Sequence, residues 1–375
     1  MTANPRKSSL VPRRRLVARG AADNPANRFE KRAYEAEPER GDPEADRWLG
    51  ELEEPDGPPL ATEFFHDPSR TLLARNDSPD VGFDTSLNPY RGCEHACAYC
   101  FARPMHEYLG FSAGLDFETK ILVKHDAPAL LRKELSKPSW KPRVVSIGAA
   151  TDPYQPVERR LRITRRCIEV FADFRNPIGI VTKGSLVARD RDLLAEMARD
   201  DTALVHVSIT TLDDRLRRVL EPRAASPGKR LAAVEALAKA GVPVGVMLAP
   251  IIPGLTESEI PRLVQAAADA GARQVGHLVM RLPHGVKALF EDWLERHYPE
   301  RKQKVLNRIR ALRGGPLNDP RFHHRHRGSG VYAEQIHQLV AVAARRAGLP
   351  GLPTLSVEAF RPPPPPQLSL FGDSG

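Results

Sequence analysis

Six short runs, the last five of them rich in Val and Ile, recur at residues 82–90, 143–149, 178–183, 204–210, 242–252 and 274–280. Most are continuously apolar, as strands buried on both faces are. Segments of helical period separate them, at 127–135, 160–174, 189–199, 229–240 and 257–270, and Gly241 and Gly271 stand just past the last two. Six β-α units in series predict an α/β chain with a parallel sheet and right-handed crossovers. Curled, such a sheet makes a partial (β/α)6 barrel of the TIM-like kind, whose functional residues gather at the C-terminal ends of the strands.

Those strand ends carry the chain's most unusual residues. Directly after the first run comes Cys93-Glu94-His95-Ala96-Cys97-Ala98-Tyr99-Cys100, which holds three of the four cysteines of the whole chain. A C-x3-C-x2-C spacing on a short loop suits a structural zinc or an iron–sulfur cluster, since both take convergent thiolates. Zinc needs a fourth ligand, for which His95, His106 or Cys167 are available. A cubane cluster held on three irons leaves the fourth open to a chelating small molecule, a departure from the usual four-cysteine arrangement. Further round the rim, Thr151 and Asp152 follow the second run, Lys183 ends the third, and Ser208, Thr210 and Thr211 end the fourth. Singly these are turn and capping residues; together they read as a cofactor pocket.

The cysteine spacing, with Tyr99 before the last cysteine, resembles the signature of radical S-adenosylmethionine (SAM) enzymes. Ser86-Leu87-Asn88-Pro89-Tyr90-Arg91-Gly92-Cys93 and Thr151-Asp152-Pro153-Tyr154-Gln155-Pro156 resemble the branch related to spore photoproduct lyase, a DNA-repair enzyme. The likeness runs from about residue 84 to about 282. It implies that Cys93, Cys97 and Cys100 ligate three irons of a [4Fe–4S] cluster and that SAM chelates the fourth. One electron from a donor still to be identified then cleaves SAM to a 5′-deoxyadenosyl radical that abstracts hydrogen from substrate. By the same resemblance Tyr99 lies at the adenine, Thr151 and Asp152 face the methionine amino group and ribose, Lys183 the carboxylate, and Ser208 the ribose. One departure limits the parallel. The lyase's hydrogen-donor cysteine would align just before Thr151, where this chain has Gly148-Ala149-Ala150. Cys167 falls in an apolar helical period and reads as a buried small hydrophobe; Tyr90 and Tyr154 remain as hydrogen-return candidates.

The flanks differ in character. Residues 1–60 pass from a basic patch, Arg13-Arg14-Arg15, to a stretch of Glu, Asp, Pro and Gly too polar to offset backbone entropy, and read as a disordered segment. The segments 19–25 and 28–30 look less random and suggest a conditional contact. Residues 61–285 form the predicted barrel, 286–350 a helical extension (285–297, 300–312, 331–347), and 351–375 a disordered Pro-rich tail. Inside the extension, residues 319–330 crowd His323, His324 and His326 among arginines; cation repulsion there favours a phosphate-contacting loop over a metal site. The tail carries five prolines, Pro362 to Pro366, then Gln367-Leu368-Ser369-Leu370-Phe371. That peptide resembles the motif that docks on the bacterial sliding clamp, with Gln367 as hydrogen-bonding amide and Leu368, Leu370 and Phe371 as apolar anchors.

Net charge is +9, from 56 Lys and Arg against 47 Asp and Glu, which favours a polyanionic partner. No run of about 18 apolar residues predicts a membrane span, and no apolar signal segment opens the chain. Clustered rather than paired cysteines suit a reducing, cytoplasmic setting. Together these features point to a radical SAM enzyme of DNA repair or nucleic-acid modification tethered to the clamp. The same features fit an enzyme acting on RNA, protein or a small metabolite, or a non-catalytic iron–sulfur scaffold.

Overall fold

The computed structural model describes residues 19–29 and 60–363. Its strands, in chain order, are β1 (Glu63–His66), β2 (Leu73–Arg75), β3 (Thr85–Leu87), β4 (Tyr90–Arg91), β5 (Lys120–Val123), β6 (Val145–Ile147), β7 (Ile178–Thr182), β8 (Ala203–Ser208), β9 (Val244–Ile251) and β10 (Gln274–Val279). Seven form one sheet in the order β10-β9-β8-β7-β6-β3-β2, and all neighbours except β2 and β3 run parallel. Six parallel strands in chain order, each crossing to the next through a helix, are the partial (β/α)6 barrel expected of the sequence. Their Val, Ile and Leu side chains are buried against helices such as Ile163–Phe174, whose Ile163, Cys167, Ile168, Phe171 and Phe174 all face the core.

Two departures from the predicted elements have local causes. The first run does not continue to residue 90. Pro89 has no N–H to donate, and Asn88 turns its Oδ1 to the Ala150 N–H at 2.9 Å, so the strand breaks after Leu87. Tyr90 and Arg91 then pair antiparallel with β5, which pairs parallel with β1 in a second, three-stranded sheet that hydrophobic pattern did not announce. The helix predicted at 160–174 is two helices, Glu158–Leu161 and Ile163–Phe174, separated by Arg162 at φ +51°. The Glu158 carboxylate accepts the Thr164 N–H at 3.0 Å and the Arg165 N–H at 3.3 Å, capping the second helix from outside it.

The helical extension (Val286–His297, Pro299–Leu312, Val331–Arg346) matches its predicted ranges within a residue or so. It is not an appendage. Phe290, Trp293, Leu294, Val305 and Ile309 share one apolar cluster with Leu216 and Leu220 of the barrel and with Cys97, Ala98 and Tyr99 of the cysteine loop.

Residues 19–29 lie inside the segment whose composition predicts disorder, yet they pack on the barrel, with Arg19, Gly20 and Ala21 buried. Their bonding is polar and long-range, so composition carried no apolar signal for it. At the other end, residues 351–363 cross the face where strands begin. Gly351 N–H bonds to Arg273 O (2.8 Å), Ser356 N–H to Asp201 O (2.8 Å) and Arg361 N–H to Phe174 O (3.0 Å). Residues 364–375, with the Gln367–Phe371 peptide, lie outside the described residues. No helix among those described is long and apolar enough to cross a membrane.

Candidate iron–sulfur and cofactor site

The cysteine loop leaves β4 at the C-terminal rim and is pinned on every side. Gly92 (φ +80°) and Ala96 (φ +57°) turn the backbone, and Cys93 N–H reaches Phe117 O at 2.9 Å. Beneath it the buried Arg103 guanidinium donates to Cys97 O (Nη2, 2.8 Å; Nε, 3.1 Å), to Gly114 O (3.0 Å) and to the Glu118 carboxylate, itself fully buried. Glu118 also accepts the N–H groups of Gly20 (3.1 Å) and Ala21 (2.8 Å). The strap 19–21 is thereby drawn so close that a Cβ on Gly20 would stand 2.0 Å from Ala96 O, which only glycine avoids. On the other flank Glu94 accepts from the Val157 N–H (2.7 Å) and Arg223 (3.2 Å), while Gln155 Oε1 accepts the Glu94 N–H (2.8 Å).

Cys93 and Cys97 are buried, Cys100 is half-buried, and none is in a disulfide. Burial pushes all three thiols above their ordinary range, and a bound metal would take them in the thiolate form against that cost. Among the described residues no three His, Cys, Asp or Glu side chains converge as one metal ion requires. The proposed fourth zinc ligands are engaged elsewhere. His95 Nδ1 contacts Asp152 Oδ2 at 3.3 Å, His106 is packed between Phe111 and Phe117 with burial holding it near pKa 4, and Cys167 sits in the main core. A donor set of three thiols spread along a rigid loop fits a multi-iron cluster, which takes each thiolate on a separate iron, and does not fit a mononuclear zinc.

Other predicted residues fall into two groups. Lys183 is brought to the loop: its ammonium lies 5.7 Å above the ring of the loop's own Tyr99, donates to Ala249 O at 3.3 Å, and its charge lowers the Cys97 and Cys100 thiols against the burial that raises them. Ser208 ends β8 beside them, buried, its carbonyl accepting from Arg230 at 2.9 Å. Thr151 and Asp152 do not offer free groups. Thr151 Oγ1 donates to Tyr90 O (2.6 Å). Asp152 accepts from Thr182 Oγ1 (2.6 Å), Lys183 N–H (2.6 Å) and Tyr154 N–H (2.9 Å). Burial alone would raise its carboxyl, but His95 and these donors hold it at about 2. Both residues therefore tie β4, β6 and β7 together behind the site.

Sequence reading missed a second buried network. Tyr99 Oη donates to Glu221 and lies 3.1 Å from Thr210 Oγ1; Thr210 Oγ1 donates to Glu221 at 2.6 Å; and Arg230, buried, pairs with the other Glu221 oxygen. Burial opposes ionisation of Glu221, yet Arg230 and Lys183 hold it at about 2. Glu221 and Arg230 are nine residues apart across a helix break, a spacing with no signature of its own. The hydrogen-return candidates are also displaced: Tyr90 Oη donates to Glu158 at 2.5 Å, and Tyr154 is buried beside Asp190, so neither opens on the rim.

A barrel of this kind with three free thiols on one loop at the strand-end rim is a fold whose donor set would suit an iron–sulfur cluster. The family model described as the radical SAM superfamily matches residues 87–267. An uncharacterized protein of Mycobacterium tuberculosis is 41% identical over 243 residues, covering 64% of this chain and 70% of that one. Another, from Methanocaldococcus jannaschii, is 26% identical over 222 residues, covering 59% and 79%. Among solved structures, a singly substituted spore photoproduct lyase superposes with a TM-score of 0.56 at 17% identity, covering 84% of this chain and 86% of that one. A doubly substituted form of that lyase, with bound AdoMet and dinucleoside spore photoproduct, gives 0.53 at 18% identity and 84% of each chain. At such identities the superposition speaks for the fold. The chain belongs to the radical SAM superfamily, whose enzymes work by radical chemistry with a [4Fe–4S] cluster and SAM.

Proposed function

We propose that this protein is a radical SAM enzyme acting on nucleic acid, DNA in the first place, with Cys93, Cys97 and Cys100 as the cluster ligands. The observation that carries the reading is three free thiols on one pinned loop at the strand-end rim, with Arg281 stacked on Phe101 directly after Cys100. Bound there, the cluster and SAM supply hydrogen-atom abstraction. The chain's own part is to orient and to exclude water. Lys183 offers its ammonium to the SAM carboxylate, Tyr99 and Ser208 line the nucleoside side, and Thr151 and Asp152 brace the walls instead of touching the cofactor. The buried strap at Gly20 and the core behind Cys97 keep solvent from the loop. The Gln367, Leu368, Leu370 and Phe371 peptide is proposed to tether the enzyme to the sliding clamp. The last described residues, 361–363, lie at the strand-start face, opposite the rim.

The test is anaerobic reconstitution of the full chain with iron, sulfide, SAM and a strong reductant. Wild type is expected to release 5′-deoxyadenosine, and Cys93→Ser, Cys97→Ser and Cys100→Ser each to fall to background with iron lost. A fully iron-loaded wild type that releases none overturns the enzymatic reading. Nucleoside mass spectrometry of treated DNA and RNA then identifies the substrate, and clamp pull-down unaffected by Leu370→Ala/Phe371→Ala overturns the tether.

A further inference from the structure

The rim beside the cysteine loop carries three arginine–aromatic pairs. Arg281, just past β10, stacks its guanidinium 4.4 Å from the ring of Phe101, the residue after Cys100. Arg28 lies 5.1 Å from Phe29, which stacks on Tyr108 at 4.9 Å and 24°. Arg325 lies 4.6 Å from Phe322. The pairs are joined: Arg28 Nη1 is 3.0 Å from His284 Nδ1, three residues beyond Arg281, and Arg281 feels the charge of Arg325 on its other side. Phe29, Tyr108 and Phe322 are 45%, 64% and 47% exposed, unusual for large rings with a barrel core to fill.

The cations differ in how they are balanced. Arg28 is paired with Glu107 at 2.8 Å and Arg325 with Asp80 at 2.5 Å. Arg281 has no carboxylate within ion-pair distance among the described residues, although it is half-buried and next to another arginine. Cys100 and Asp80 are the anionic groups it feels, neither in an ion pair with it, so the anion of a ligand can complete its balance. Open aromatic faces beside cations are what an unpaired nucleic-acid strand recognises, because its bases expose faces that a duplex hides.

We propose that these three pairs form one track for an unpaired nucleic-acid strand, with bases stacked on Phe29/Tyr108 and Phe322 and a backbone phosphate on Arg281. The track rests on the nucleic-acid reading above and sharpens it: the nucleotide between the two platforms is the one held against the cluster loop. Chemistry on a base requires it out of the stack, and a strand bent over Arg281 delivers it so.

Fluorescence anisotropy of the iron-loaded full chain with labelled oligothymidylate, and with the same strand in a duplex, tests this across potassium chloride concentrations. The single strand is expected to bind more tightly than the duplex. Phe29→Ala/Tyr108→Ala should weaken it about tenfold or more, since stacking is worth ~1–3 kcal/mol per base. Tyr108→Trp should keep the affinity, and Arg281→Gln should lower the slope of log K against log salt by about 0.7. Iron content and melting temperature establish that each variant is folded. Binding left unchanged in folded Phe29→Ala/Tyr108→Ala and Arg281→Gln overturns the track and leaves the nucleic-acid reading standing. Wild type that binds neither form at low salt overturns both, and directs the aromatic surface to a protein partner.

Discussion

Two irregular loops share the strand-end rim and are built on opposite plans. The cysteine loop, 93–100, is buried and held by ion pairs and hydrogen bonds on each flank: Arg103–Glu118 beneath, Glu94–Arg223 and Gln155 beside, and the strap through Gly20 above. The basic loop, 319–328, is largely exposed. It is fastened to the opposite edge of the open barrel mainly through Asp80, which takes the His323 N–H and Arg325, while Arg313 holds its backbone at His324 O (2.7 Å). A cluster must be met by thiolates already in place, and desolvated charge pairs specify one geometry well even where they add little net stability. A polymer of varying sequence is better met by side chains that can adjust. On the function proposed above, the difference separates a chemical site from a surface that meets substrate.

Breaking the first plan should have the largest effect. Glu118→Gln leaves the Arg103 guanidinium buried without its counter-charge and loosens the strap. Denaturant titration of the holoprotein should show a loss of about 3–5 kcal/mol, accompanied by iron release. Unchanged iron content would mean that the pair supports the fold but not the loop.

The next effect is pH-dependent. Asp152 and Glu221 titrate at about 2 in the folded chain, against 3.8 and 4.5 ordinarily. A carboxylate lowered by folding contributes stability that is complete above its unfolded pKa and is lost as pH falls through the folded one. Stability should therefore drain between about pH 4.5 and 2, by on the order of 2–3 kcal/mol for each group. Glu221→Gln should be less stable at neutral pH, because Arg230 is left unpaired, and should show a shallower acid slope. Equal slopes in the two proteins would assign the acid sensitivity elsewhere.

The smallest effect belongs to the second plan. Asp80→Asn weakens the hold on Arg325, whose guanidinium is partly open to water while the Asp80 carboxylate is covered, and should cost about 1–2 kcal/mol. Iron content should not change. Iron lost from this variant would show that the two loops are one unit.

How much of this was legible in the sequence follows from the kind of bonding involved. Most barrel strands and their helices were legible because burial on both faces leaves apolar runs, with the polar β3 and the half-buried β10 as exceptions. The cysteine loop was legible because its chemistry is local in sequence. β1 and β5 were not: each has four residues and gains meaning only from pairing across more than fifty positions. Nor was the strap, whose backbone N–H groups bind a carboxylate about a hundred residues on. Thr151 and Asp152 stand at the rim with their oxygens already engaged by Tyr90, Thr182 and Lys183, since a motif gives a residue's neighbourhood but not which way its oxygens turn.

The apolar cluster that joins Cys97, Ala98 and Tyr99 to Trp293 and Ile309 bears on modularity. The superfamily match stops at residue 267, yet the back wall of the cysteine loop is supplied by residues 290–309. The recognisable unit of sequence is therefore shorter than the physical unit of folding. A gene fusion, a splice or a proteolytic cut placed at the end of that match would keep all three loop cysteines and lose the surface they lean on. Inheritance of this chemistry must carry both segments together.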